Sequence, residues 1–273
     1  MKFSWKKRLA TSHKGQNGKI LVIGGSEQYV GSPALAAMAA MRAGADWVTI
    51  AAPEKVAYAI NSYSPDFITH KLKGSHLSKA HISDLVRLSK SHDVTLIGNG
   101  LTRTSSILSV IKTLVSKIKT PVVADADALH ALNIKQCNNT IFTPHAKEAE
   151  ILIKNSKFPK ISELIKFPSK AKHLGTNVIL LKGPTDYIIS RLGTSKSQTG
   201  NPGMTHAGCG DVLAGVVSCF VSQHYDLATA AHMAANVNGF AGDILEADCG
   251  YGFTAWDLAH TISRAMIEIN AWK

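Results

Sequence analysis

The chain has 273 residues, is 45% hydrophobic and carries a formal net charge of +11, enough apolar material for one large α/β domain or two small ones. No uninterrupted apolar run approaches the roughly 20 residues that span a bilayer, and the basic opening MKFSWKKRLATSHKG lacks the apolar centre of a secretory signal, so residues 1–14 read as a solvated lead-in. Cys137, Cys209, Cys219 and Cys249 are scattered without a C-x-x-C pair, which argues against a disulfide framework or a zinc site and fits a reducing cytoplasm.

Taken in chain order, KILVIGG is an apolar strand that ends in glycines. SPALAAMAAMRAGA follows as a helix, with Ser32 as its cap, Pro33 at the first helical position and Gly44 at its close. WVTIAAP completes a β-α-β unit, which implies parallel pairing. VTLIGNG is the next strand, and SSILSVIKTLVSKI is a helix with Ile107, Val110, Ile111, Leu114 and Ile118 on one face. PVVADADAL and TIFTPH are further buried strands, and NVILLKG and YIIS read as neighbours in the sheet. Beyond residue 211 the pattern is helical: VLAGVVSCFVSQ, LATAAHMAANVNGFAGDILEA and TAWDLAHTISRAMIEI. With no linker, repeat or low-complexity segment, residues 1–273 read as one three-layer α/β domain.

Ligands of open parallel sheets bind beyond the carboxyl ends of the strands. The pieces GGS, GNG, DADAL, TPH and KGP all fall at such ends. The densest piece is GNPGMTHAGCGD, Gly200 to Asp211, just ahead of the stripe Leu213, Val216, Val217 and Phe220. Gly208, Cys209 and Gly210 therefore sit at a helix N-terminus, where free N–H groups and the dipole attract an anion. A carboxylate there is poised to take a proton from a hydroxyl that attacks phosphorus; Asp211 also has the bland reading of a plain helix cap. The loop lacks the lysine and hydroxyl of a Walker A motif, and GGSEQYVG is not a G-x-G-x-x-G. The positive charge attracts polyanions, but the lysines are dispersed rather than interleaved with aromatics as on single-strand-binding surfaces.

The ordered set HKGQNGKILVIGGSEQYVGSPALAAMAAMRAGADWVTIAAPE, LIGNGL, PVVADADAL, FTPHAKEAEIL, LLKGPTD and GNPGMTHAGCGDVLAG resembles the ADP-dependent NAD(P)H-hydrate dehydratases of the ribokinase-like superfamily, over nearly the whole chain. The resemblance implies a ribokinase-like three-layer α/β/α sandwich with a mostly parallel central sheet. It implies a repair lyase that dehydrates the S-epimer of hydrated NADH or NADPH, restoring the cofactor while ADP becomes AMP and phosphate. Mg2+ and ADP (or ATP) are the implied cofactor and co-substrate. A separate epimerase is the implied partner activity, since no room for such a domain precedes His13; homo-oligomers are common among relatives.

The resemblance also distributes roles. Asp211 is the implied base, with the amides of Gly208, Cys209 and Gly210 around the phosphoryl group. Gly31 and Ser32, Gly98 and Gly100, and His145 match substrate-binding positions. Lys182, Gly183, Pro184, Thr185 and Asp186, with Gly210, match the nucleotide-binding turn, Asp186 standing where K-G-x-x-T has threonine. Glu148 in H-x-x-E matches an acid that helps hold magnesium through water, and Asp127 is placed at the phosphate or metal region. For both acids a helix-start role is the competing reading. Asn99 stands where the family has G-P-G-L, which implies a looser turn. Cys209 counts as a small residue whose backbone N–H alone is needed, and His206 as an unassigned substitution. Two other functions compete: a superfamily kinase for a vitamin-precursor alcohol, and a basic nucleic-acid-binding protein.

Overall fold

The apolar runs bounded by glycine become parallel strands of one sheet. The computed structural model describes residues 3–272; Met1, Lys2 and Lys273, the ends of the expected lead-in and domain, lie outside the described residues. The strands are β1 (Lys19–Ile23), β2 (Trp47–Pro53), β3 (Ile68–Leu72), β4 (Val94–Ile97), β5 (Val122–Ala124), β6 (Thr140–Phe142), β7 (Val178–Leu181), β8 (Asp186–Ser190) and β9 (Gly193–Ser197). They lie in the order β3-β2-β1-β4-β5-β6-β7-β8-β9. Pairing is parallel from β3 to β7 and antiparallel for β8 and β9. NVILLKG and YIIS are indeed neighbours, as the antiparallel pair β7–β8. The edge strands β3 and β9, ITHKL and GTSKS, escape a hydrophobic reading because their letters are mostly polar.

Alternation along each strand divides the core. Ile20 and Val22 face one layer, shared with α1 (Gly31–Arg42), α2 (Glu54–Asn61), α8 (Cys209–Ser222), α9 (Leu227–Cys249) and α10 (Ala255–Glu268). Leu21 and Ile23 face the other, with α3 (Ile82–Ser89), α4 (Ser105–Lys117), α5 (Asp127–Ala131), α6 (Ala146–Ser156) and α7 (Ile161–Lys166). This is the expected three-layer α/β/α sandwich with a mostly parallel sheet.

α8 is buried from Val212 through Ser222, which is why its letters are apolar all round. It packs on α1 at Gly215, where a Cβ would lie 2.1 Å from the Ala36 carbonyl oxygen. Gly215→Ala is expected to push these helices apart and to lower stability by about 3 kcal/mol, in the overpacking range. Urea unfolding measures it; an unchanged midpoint would mean that the contact relaxes without cost.

Two expectations are corrected. Helix α1 begins at Gly31, and its cap position, Val30, offers no side chain. Ser32 is thus inside the first turn rather than capping it, and Pro33 follows at the third helical position. The lead-in is not simply solvated. Phe3 and Trp5 pack on the core edge-on to His232 and Phe220, and Lys6 N–H donates to Tyr225 Oη at 2.6 Å. Trp5 thereby covers the Phe220 end of the buried helix α8, and Phe3 rests on α9.

Candidate active site

From β1 the chain winds to β2 and β3 on one side; from β4 it winds the other way. The crevice beyond β1 and β4 is therefore the topological switch point. Glycines let the turns there close tightly. Gly25 N–H donates to the Asn99 carbonyl at 2.8 Å, and a Cβ at Gly24 would come within 2.5 Å of that oxygen. Gly98, at φ 125°, leaves no room for a side chain beside the Asp125 carbonyl.

Consecutive strand ends deliver one polar cluster to this crevice. Asn99 follows β4, Asp125 follows β5, Thr143 follows β6 and Lys182 follows β7. Asp125, 2% exposed, receives Thr143 Oγ1 at 2.6 Å and Lys182 Nζ at 2.9 Å on Oδ1, and Asn99 Nδ2 at 3.0 Å on Oδ2. The same Asn99 nitrogen donates to Asp211 Oδ1 at 2.6 Å. Ser32, whose hydroxyl does not cap its own helix, lies near enough to Asp211 to favour the ionised carboxylate. Burial, and after it the neighbouring Asp125 carboxylate, push Asp211 up to about 7; Asn99, Ser32 and the Lys182 ammonium pull against that rise. Burial acts to lower Lys182, but the carboxylates of Asp125, Glu148 and Asp211 outweigh it and hold the ammonium above its usual value. A carboxyl poised near neutrality beside a permanent cation is what a general base for a hydroxyl requires.

Gly208 is the cap of α8, at φ 99°, where a Cβ would strike Leu35 and Ala255. Asp211 is thus in the first turn of α8 and is not its cap. A Cβ at Gly210 would lie 3.2 Å from Lys182 Nζ, so the helix start and the ammonium face one space. Cys209 N–H, expected among the anion donors, instead donates to the His206 carbonyl at 3.3 Å. Among the described residues, the Gly208 and Gly210 amides make no hydrogen bond to a loop or side chain, which leaves them for a ligand. Burial pushes the Cys209 thiol up to about 11, so Cys209 is a small packing residue and not a thiolate. His206 is exposed, its ring edge-on to Phe253.

The turn after β7 adjoins the helix start after β6. Lys182 N–H donates to the Pro144 carbonyl at 2.8 Å, and His145 bridges Lys182 in parallel. Asp186, in the place of a threonine, accepts Gly183 N–H at 2.9 Å and so closes the turn that contains Pro184 and Thr185. Burial lifts Asp186 to about 6. His145 and Glu148 form a reciprocal capping box on α6, the Glu148 carboxylate accepting His145 N–H at 2.9 Å. Asp127 stands apart: its oxygens take Thr102 N–H at 2.7 Å and Arg103 Nε at 3.1 Å, outside the cluster. Gly100, at φ 70°, packs on Tyr29 and Ser32. Gly31 borders an apolar recess of about 450 Å³ lined also by Leu35, Tyr63, Ala207 and Trp256.

Of the expected residues, the structure brings Ser32, Lys182, Gly210 and Asp211 together, with Gly98 and Gly208 shaping the walls. It adds Asp125 and Asn99. Asp125 was visible as the first acid of DADAL, the one nearer the buried strand. Asn99, expected only to loosen a turn, is 0% exposed and locked between two acids. Only the assembled sheet shows that.

A family model described as NAD(P)H-hydrate dehydratase matches residues 20–264. The bifunctional NAD(P)H-hydrate repair enzyme Nnr of Pyrobaculum aerophilum is 40% identical over 263 residues, 95% of this chain and 52% of that protein. The chain thus spans about half the length of that relative. The ADP-dependent (S)-NAD(P)H-hydrate dehydratase of Nitrosopumilus maritimus is 34% identical over 95% of this chain and 92% of its own length. The crystal structure of the ADP/ATP-dependent NAD(P)H-hydrate dehydratase from Bacillus subtilis, co-crystallised with ATP/Mg2+, superposes with a TM-score of 0.77 at 25% identity, over 96% of this chain and 94% of that one.

Proposed function

The chain belongs to the NAD(P)H-hydrate dehydratase family, and from that membership we propose that it acts as a single catalytic domain that dehydrates the S-epimer of hydrated NADH or NADPH at the expense of ADP. The observation that carries this reading is Asp211, a carboxyl poised near neutrality at the glycine start of α8 and facing the Lys182 ammonium.

Hydroxide is a poor leaving group and phosphate a good one. Asp211 takes the proton of the hydrate's hydroxyl as that oxygen attacks the β-phosphorus of ADP. The P–O bond to AMP breaks as the new one forms. The amides of Gly208 and Gly210 and the ammonium of Lys182 stabilise the charge on the transferring phosphoryl group. Phosphate then leaves with the C–O bonding electrons, the ring nitrogen's lone pair supporting the positive charge, and loss of a proton from the adjacent ring carbon to water forms the ring double bond of NAD(P)H. The nucleotide lies along Lys182, Gly183, Pro184, Thr185 and Asp186. The dinucleotide lies along Gly31, Ser32, Gly98, Gly100 and His145, beside the Tyr63–Trp256 recess.

Mg2+ binds such sites through one or two carboxylates, water and the substrate's own phosphates. The residues fit that mode: Glu148, which also accepts His145 N–H, is near enough to the cluster to raise Lys182 electrostatically, whereas Asp127 is bound to Thr102 and Arg103 outside it. Glu148 would hold the ion through water, and the ion would neutralise phosphate charge.

The bifunctional name of the P. aerophilum relative supports a functional link to a second activity, which we take to be the hydrate epimerase. Self-association and a cytoplasmic site of action complete the proposal.

The test supplies hydrated NADH with ADP or ATP and Mg2+ and follows the absorbance of reduced nicotinamide. Recovery with ADP is expected; no recovery with either nucleotide would overturn the reading. Because the base must be deprotonated, kcat/KM is expected to rise with pH through about 7, the value to which Asp211 is lifted. A profile flat across that range would remove Asp211 as the base.

A further inference from the structure

Two carboxylates and one ammonium meet beyond β5 and β7, so once Asp211 is ionised the cluster carries one negative charge more than Lys182 can balance. Asp125 is committed, with Thr143, Lys182 and Asn99 on its oxygens. Asp211 is the acid with oxygen capacity left for a substrate. Between the two acids stands one group, the Asn99 carboxamide. Its nitrogen has two hydrogens and spends one on each acid, at 3.0 Å to Asp125 and 2.6 Å to Asp211.

The other end of that carboxamide shows the cost of the arrangement. Asn99 Oδ1 is buried and has no hydrogen-bond partner among the described residues. An orphaned buried acceptor is unfavourable, and a side chain present for packing alone would be apolar. Turning the amide over would aim its oxygen at both carboxylates and strand its hydrogens. The orientation is therefore set by the acids. The backbone leaves Asn99 little freedom either, since its carbonyl is tied to Gly25 N–H, with Gly24 and Gly98 pressing close.

We propose that Asn99 is the positioning residue of the reaction centre: one carboxamide bridges Asp125 and Asp211, aims the Asp211 carboxylate at the substrate hydroxyl and lets both acids stay ionised side by side. This rests on the reading of Asp211 as the base. Without the bridge Asp211 loses a donor and, among the described residues, only Lys182 offsets the repulsion from Asp125, so Asp211 binds its proton more tightly. The charged and titratable groups facing Asp211 are Asp125 from the end of β5, Lys182 from the end of β7 and Cys209 from its own helix, with Ser32 as the remaining neutral donor from α1.

The experiment is an NMR titration of the Asp211 side-chain carboxyl carbon, assigned by its loss in Asp211→Asn, in the native chain, Asn99→Ala and Asn99→Ser. It needs no turnover, so it stands even if the dehydratase reading fails. Asn99→Ala is expected to raise the proton affinity of Asp211 about fivefold, the contribution of one ordinary hydrogen bond. Asn99→Ser, with a hydroxyl too short to reach both acids, is expected to do the same and guards against a failure of the alanine variant to fold. In the assay of hydrated NADH with ADP, the acid limb of kcat should move to higher pH in step, with ADP affinity unchanged. An Asp211 midpoint that is the same in all three chains would overturn the proposal. So would a loss of kcat equal at every pH, which marks a packing role.

Discussion

Asp211→Asn is expected to lose turnover and gain stability. As a general base Asp211 contributes about 10²–10⁴ in rate, and the amide cannot take the proton, so kcat should fall by that factor while ADP still binds. The stability change follows from the direction of the shift. Asp211 is lifted from 3.8 to about 7 on folding. Between those values the folded chain holds a proton that the unfolded chain has released, so stability declines as pH rises through that window. Above about 7 the buried charge is a standing cost, and an uncharged isostere removes it. The gain should be on the order of 1 kcal/mol, short of the full shift, because the Asn99 and Ser32 donors then face an amide. Urea unfolding at pH 8 beside a single-turnover assay reads both effects. A variant that turns over normally would assign the base elsewhere; one that is inactive and also less stable would make Asp211 a structural ligand of the loop.

Lys182→Ala is expected to have the largest effect on stability. Among the described residues the ammonium is the only cation on Asp125, whose carboxylate is 2% exposed. Removing one member of a buried pair leaves the other charge stranded and costs about 3–5 kcal/mol. The Thr143 and Asn99 bonds to Asp125 remain but carry no charge. Asp125→Asn combined with Lys182→Met should recover most of the loss, since the pair is then removed together. An unfolding midpoint equal to the native one in Lys182→Ala would show that the pair contributes nothing net. In the same variant ADP affinity should fall by about 1.5–3 kcal/mol, the contribution of a hydrogen bond to a charged group, read by titration calorimetry. Retained affinity would place the nucleotide away from this turn.

Elements with a strong internal pattern were legible before folding. The parallel strands VTLI and VVA are apolar because both their faces are covered, and α8 is apolar because it is buried all round. The edge strands β3 and β9 were not legible, since one side of each is open and polar letters suffice there. Among the site residues, Asp211 and Gly208 announced themselves through a glycine-dense loop ahead of an apolar stripe. Asp127 and Asp125 are two residues apart in one motif, and letters alone do not say which turns inward. Asp127 begins α5 and binds Thr102 and Arg103, while Asp125 stays with the strand end and meets Lys182.

The layers, the strand-end turns and the family could be read from the letters, because periodicity, glycine placement and ordered motifs are local properties. The tertiary structure alone decided that Asn99 joins two acids 26 and 112 residues away, that Cys209 N–H is spent on its own loop, and that Asp211 is lifted toward neutrality. Those depend on burial and on distances across β4, β5 and β7, and a hydrogen bond between strand ends has no counterpart in the spacing of letters along the chain.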